Sequence, residues 1–264
     1  KKYTIKTIMN IKEFILDKLN LYLEKKTNPK LVFDTLKKLM PYEVGFELIR
    51  IGENSDGGYL LPKDFDEIQY CYSAGVGFVT QFERDLEEKF NIKSKMLDIC
   101  DVPKNLLPKK SIFIKKKLSI FKSDQNISIN EFIDTQDEII LKLDIEGDEY
   151  SNLIDLDEKK IPYIRILILE IHDLRNLRSP FFFKIFNEVV EKLSKHFYFC
   201  HLHPNNTSEV KKIGKFKIPD MLELTLINKK RVKFLPSKKL KLPHVLDRKT
   251  DPSKMEIYFQ PFND

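Results

Sequence analysis

The chain has 264 residues, enough to bury a substantial core in one large domain or in one domain with an appendage. Lysines and arginines outnumber acids by 46 to 40, and the resulting charge of +6 is spread over short runs such as Lys109-Lys110, Lys115–Lys117, Lys229–Arg231 and Lys238–Lys241. Such a surface suits an anionic small ligand, but the absence of interleaved aromatics argues against nucleic acid, and no apolar stretch approaches the roughly 20 residues of a membrane span.

At the N-terminus Ile11, Phe14, Ile15, Leu19 and Tyr22 recur at helical spacing. Asn28 as cap and Pro29 in the first turn predict a second helix, which Pro41 ends. These residues read as a helical appendage over 1–45, packed as a lid or a dimer face. From Ile68 onward short apolar runs alternate with helical patterns, the signature of an α/β sheet wound with crossover helices. Seven strands are predicted, at Ile68–Ser73, Ser94–Asp98, Ser111–Ile114, Glu138–Asp144, Ile164–Ile171, Phe197–Leu202 and Leu222–Ile227. Helices are predicted over Thr80–Phe90, over Ile129–Ile133 behind a Ser128 cap, and over Pro180–Leu193 behind Ser179. The main domain is expected to span 46–230. After Arg231 the prolines at 236, 243, 252 and 261 break the chain into an irregular strap over 231–264.

Cys71, Cys100 and Cys200 are odd in number and lack metal spacing, which points to reduced thiols in the cytoplasm. No signal-peptide pattern is visible in the opening residues.

Six segments carry candidate chemistry. The first predicted strand runs into Ser73-Ala74-Gly75-Val76-Gly77, a small-residue turn ahead of a helix, which allows close backbone approach to a ligand. The next strand ends at Asp98, placed to bind ribose hydroxyls, with Asp101 as a rival. Upstream, Asp56-Gly57-Gly58-Tyr59, preceded by Arg50-Ile51-Gly52, reads as a turn that forms a wall of the same site.

The fourth predicted strand, Glu138–Asp144, ends on Asp144 and leads into Glu146, Gly147, Asp148 and Glu149. Asp144 and Glu146 are the functional candidates, because ligands of open α/β sheets bind at the carboxyl ends of the strands. Asp148 and Glu149 are read as complements to the dipole of the following helix. On the fifth strand Glu170 and His172 share a face by alternation, and His172 titrates in the right range to accept a proton from an alcohol. The sixth ends in His203-Pro204-Asn205-Asn206, groups suited to a polyhydroxylated substrate or a divalent cation. Asp144, Glu170, His172 and His203 are together compatible with a metal, yet no segment shows diagnostic ligand spacing. Direct acid–base chemistry is preferred, and no metal is assigned.

Lys142-Leu143-Asp144-Ile145-Glu146-Gly147-Asp148-Glu149 resembles the hallmark Lys-x-Asp-x-Glu-Gly-x-Glu of the FkbM-type S-adenosylmethionine-dependent methyltransferases, and Ile127–Ile133 resembles their short preceding helix. Asp56–Tyr59, Glu170-Ile171-His172, His203–Asn206 and Leu222-Glu223-Leu224-Thr225 are similar to a bacterial sugar- and capsule-modifying branch. The resemblance runs in order from Arg50 to Ile227; the first forty residues and the tail lie outside it.

It implies a Rossmann-like sheet of seven strands, mostly parallel, with the last antiparallel. It also implies S-adenosylmethionine against Ser73, Ala74, Gly75 and Gly77, with Asp98 near the ribose and Asp56, Gly58, Tyr59 and Asp144 completing the cofactor site. The Ser-Ala-Gly-Val-Gly turn carries fewer glycines than the usual Gly-x-Gly-x-Gly loop. The expected activity is O-methylation of a sugar hydroxyl on a nucleotide-activated or surface-glycan precursor, in a protein that is a candidate homo-oligomer. Asp144 or His172 is the expected base, with Glu146, Glu170, His203, Asn205 and Asn206 holding the acceptor. The rival expectations are a binding protein that kept the fold without the reaction, and a metal-dependent methyltransferase.

Overall fold

The structure is a computed structural model that describes residues 14–21 and 23–259. Ile11 and Tyr22 of the predicted first helix lie outside the described residues. Residues 14–18 are helical, and Phe14, Ile15 and Leu19 are exposed rather than packed on the sheet. Asn28 caps helix α1 (Pro29–Leu36) through its side chain, as predicted, and a 3-10 turn over Lys37–Leu39 follows.

Strands β1 (Leu48–Gly52) and β2 (Gly58–Pro62) form an antiparallel hairpin around the Asp56-Gly57 turn. The chain then lays down β3 (Tyr70–Ala74), helix α2 (Gln81–Phe90), β4 (Lys93–Asp98) and β5 (Ile112–Lys115). A small parallel pair, β6 (Lys117–Leu118) and β7 (Asn126–Ile127), precedes the short helix α3 (Ile129–Phe132), whose Ser128 and Glu131 form a reciprocal capping box. Strand β8 (Ile139–Leu143), helix α4 (Glu149–Asp155), β9 (Ile164–Ile171) and helix α5 (Pro180–His196) follow. Last come β10 (Phe197–Pro204), the hairpin β11 (Val210–Ile213) with β12 (Phe216–Pro219), and β13 (Leu222–Asn228).

The main sheet has seven strands in the order β10-β13-β9-β8-β3-β4-β5. Its first five strands in sequence are parallel, while β13 runs antiparallel to both β9 and β10. Every predicted strand is therefore found, with ends shifted by up to two residues. The β11–β12 hairpin was not predicted.

Central strands buried on both faces lose the polar–apolar alternation that a half-exposed strand shows. Accordingly β8 and β9 are buried along their whole length. Alternation instead sorts their side chains between two cores. Ile139, Leu141, Leu143, Leu167 and Leu169 pack with α1, α4 and α5, whereas Ile140, Ile166 and Ile168 pack under α2 and the β1–β2 hairpin. Lys142 falls on the hairpin face, beneath the rings of Tyr59 and Phe82 at 5.6 and 5.9 Å. Arg165, at the start of β9, is 1% exposed and binds the Glu138 carboxylate and the Asp66 carbonyl. No helix among the described residues is long and apolar enough to cross a membrane.

Candidate active site at the carboxyl edge of the sheet

Parallel strands that end side by side leave a crevice beyond their carboxyl ends, and here it is a cleft of about 510 Å3 over β3, β4 and β8. One wall is the turn after β3. Gly75 lies at φ +76°, and a Cβ there would sit 1.5 Å from the Asp144 carbonyl oxygen, so only glycine lets the ends of β3 and β8 meet. Asp98, closing β4, accepts N–H bonds from Val76 and Gly77 on Oδ2 and from Cys100 on Oδ1, at 2.8 Å each. The Cys100 thiol bonds to the same carboxylate, so the turn after β3 and the exit of β4 are tied together at Asp98. Burial raises the Asp98 pKa, but these backbone donors outweigh it and hold the group below its usual range. The rim carries Phe78, Val79 and Ile99, all exposed apolar side chains.

At the other end lies the acidic strand exit. Glu146 takes up left-handed φ (+55°) and Gly147 follows at +101°, so the backbone reverses into α4 within a few residues. Asp144 is 26% exposed; its Oδ2 accepts from the Tyr59 hydroxyl at 3.4 Å, and its Oδ1 lies 4.0 Å from His172 Nε2. Burial lifts Asp144 to about 6, against the opposing pull of Lys142 and His172. Burial, reinforced by Asp144, keeps the Tyr59 phenol protonated and therefore a donor.

Glu149 corrects the sequence reading, which took it for a dipole complement. It is fully buried and folds back under the exit loop, accepting the N–H of Ile145 at 2.8 Å and of Gly147 at 3.0 Å. Its Oε1 also stands 3.2 Å from His172 Nδ1. Burial depresses the His172 pKa, but the bond to Glu149 and the nearby charges of Glu170 and Asp144 raise it to about 9. Asp148 lines the cleft beside Lys117 and pairs with it at 2.6 Å.

Sequence reasoning also missed the partner of Lys142. The ammonium lies 3.7 Å from Glu83 Oε1 on α2, and the pair is almost completely buried. Ser73 Oγ donates to the same Glu83 oxygen at 2.6 Å. Burial opposes the charge on Lys142, but Glu83 and Asp144 raise its pKa. No local pattern joins positions 83 and 142; a lysine inside an otherwise apolar strand was the one available signal.

Of the predicted cofactor residues, Asp56, Tyr59, Gly75, Gly77, Asp98 and Asp144 line the cleft. Gly58, Ser73 and Ala74 do not: Ser73 and Ala74 are inside the sheet and Gly58 is in the ladder with Gly52. Among the predicted acceptor residues, Glu146 lines the cleft. Glu170 is buried one position away and accepts from Asn205 Nδ2 at 2.7 Å, while burial, then Asp144 and Glu223, push its pKa well up.

His203 belongs to a separate hollow of about 30 Å3, between Glu223 at 3.5 Å and Glu256 at 3.2 Å. Both ends of the Asn206 amide bind the backbone of Asp251, so this side chain secures the C-terminal segment. Asp101, the rival of Asp98, is turned outward to Lys115 at 2.6 Å. No protein-family model matches the chain, and no curated protein matches it.

Proposed function

We propose that the protein transfers a methyl group from S-adenosylmethionine to a hydroxyl of a sugar, on a nucleotide-activated or surface-glycan precursor in the cytoplasm. The observation that carries this reading is the pairing, in one cleft, of a cofactor-like end and an acid–base end. Gly75, Gly77 and Asp98 with an apolar rim suit an adenosyl group, and Asp144 with Tyr59 suits an alcohol. A volume of about 510 Å3 is in the range of small-molecule sites. Asp98 on the cleft wall suits a ribose hydroxyl, and Asp56 offers a carboxylate to the amino group of the methionyl part. The sheet, with its last strand antiparallel, agrees with the sheet that the motif resemblance implies. Half-buried Lys116 on the cleft wall supplies positive charge suited to a phosphate of the acceptor.

Bound S-adenosylmethionine supplies a methyl group on a sulfonium, already electrophilic, which leaves sulfur as the acceptor oxygen bonds to it. The chain then has to align the hydroxyl, exclude water and take up its proton. Asp144 is better suited to that proton than His172. Its carboxylate faces the cleft, whereas His172 lies behind it and its environment favours the protonated ring. Tyr59 donates to Oδ2 and fixes the carboxylate plane.

Replacing Asp144 by Asn is expected to lower turnover on a panel of nucleotide sugars by about 10²- to 10⁴-fold, the usual worth of a general base. S-adenosylmethionine affinity, measured by isothermal titration, should change little. Undiminished turnover in both D144N and D144A would remove Asp144 from this role. Cofactor binding with no turnover on any sugar acceptor would instead favour a binding protein.

A further inference from the structure

The exit of β8 and the end of β9 bring together two carboxylates and one imidazole whose donor atoms lie within 4.8 Å of one another: Asp144, Glu146 and His172. The orientation of the ring is decided by Glu149. That carboxylate already accepts two backbone N–H groups, so His172 Nδ1 must donate to it, and Nε2 is turned toward the other two acids. Its nearest carboxylate oxygens are 3.6 Å (Glu146) and 4.0 Å (Asp144) away, too long for N–H···O bonds. The His172 side chain is 9% exposed, and its Nε2 faces the two acids without a hydrogen-bond partner among the described residues.

A histidine oriented by a carboxylate through one nitrogen, with the other facing further acids, is the arrangement in which proteins hold divalent cations. Ligand atoms about 2.1 Å from a common cation lie roughly 3 to 4 Å apart, which matches the two Nε2 distances. Three protein ligands, two of oxygen and one of nitrogen, would leave coordination positions open toward the cleft.

We propose that Asp144, Glu146 and His172 form a divalent-cation site of the Mn2+ class, whose open positions receive two neighbouring oxygens of a polyhydroxylated acceptor. The acceptor half of this proposal rests on the methyltransferase reading; the cation half does not. Asp144 serves both, because Oδ1 faces His172 and Oδ2 faces Tyr59 and the hydroxyl site. The ligand set differs from the one compatible in the sequence. Glu146 stands where Glu170 and His203 were expected, since Glu170 is engaged by Asn205 and His203 by Glu223 and Glu256.

The test uses the full chain freed of metal with chelator and then titrated with Mn2+, read by the loss of the free-ion electron paramagnetic resonance signal. One site per chain is expected. E146Q and H172Q should each weaken it at least tenfold, and E149Q by about 10- to 100-fold through loss of ring orientation. Because the Glu146 side chain is 87% exposed, E146Q should keep the wild-type thermal melt, so loss of binding in that variant cannot be ascribed to unfolding.

No binding at millimolar Mn2+, or a site unchanged in E146Q, overturns the proposal. S-adenosylmethionine binding in chelator is measured in parallel. Cofactor binding without a Mn2+ site would sink the cation and spare the methyltransferase reading, whereas a Mn2+ site without cofactor binding would do the reverse. If both bind, a vicinal diol sugar should change the bound-Mn2+ spectrum, and a sugar with one hydroxyl of the pair removed should not; equal spectra with both would overturn the acceptor half.

Discussion

Glu149, itself fully buried, makes three contacts at once: two backbone amides of the exit loop and the ring of His172. Losing one partner of a buried charged hydrogen bond costs more than the bond itself, because the remaining groups stay buried and unpaired. Replacing Glu149 by Ala is therefore expected to destabilise the chain by about 3 to 5 kcal/mol in urea unfolding. The isosteric Gln keeps one acceptor oxygen but sets an NH2 against a backbone N–H, and its cost should fall between wild type and Ala. A loss under about 1 kcal/mol for Ala would mean that the loop holds its shape unaided. The sequence could not separate Glu149 from Asp148. Both sit at a helix start, and the difference lies in the left-handed turn at Glu146 and Gly147, which aims position 149 inward and leaves 148 beside Lys117.

The ends of β3 and β8 meet at Gly75 with no room for a side chain. A methyl group at Gly75 would overlap the Asp144 carbonyl, and the residue's φ is itself unfavourable for any side chain. Gly75→Ala should cost roughly 3 kcal/mol or more and displace Asp144, so that activity falls further than the drop in thermal midpoint explains. An unchanged melt would show that the strand ends can separate freely. Elements of this kind were largely legible beforehand. Apolar runs with clear breaks gave the seven strands of the main sheet, and Asn28-Pro29 and Ser128…Glu131 gave helix starts, because these signals are local. The β11–β12 hairpin escaped because Val210–Ile213 reads Val-Lys-Lys-Ile, two adjacent lysines between single aliphatics, with neither a strand-like alternation nor a long apolar run. The Glu83–Lys142 pair escaped for a different reason: its members are far apart in sequence and meet only through the packing of α2 on β8. His203 and Asn206 carried the right chemistry for a substrate site, but where they end up depends on the path of the C-terminal segment, which no periodicity encodes.

That segment is fastened across the outer end of the sheet by ion pairs and amide contacts. Asp247 binds His201 at 2.8 Å, Glu256 binds His203, Asn206 holds Asp251, and Phe259 enters the main core. Burial lowers the pKa of His203, but the paired carboxylates of Glu223 and Glu256, with Asp247 nearby, raise it to about 10 from 6.5. The folded state thus binds this proton more tightly than the unfolded chain. The stabilisation is complete below pH 6.5 and is lost as pH rises toward 10. Unfolding free energy should accordingly fall between pH 6.5 and pH 10, and H203Q should be less stable at the lower pH and show a shallower decline. Parallel pH curves for the two proteins would rule out the clamp. Among the larger features, the position of β13 also governs how the molecule is made. This strand hydrogen-bonds to β9 on one side and to β10 on the other, yet it leaves the ribosome after both. A nascent chain therefore carries β10 with no strand to join and β9 with an open edge until Leu222–Asn228 has emerged. Sheet closure is deferred until β13 has emerged, and nascent chains arrested before that point should be the ones that recruit chaperones and aggregate.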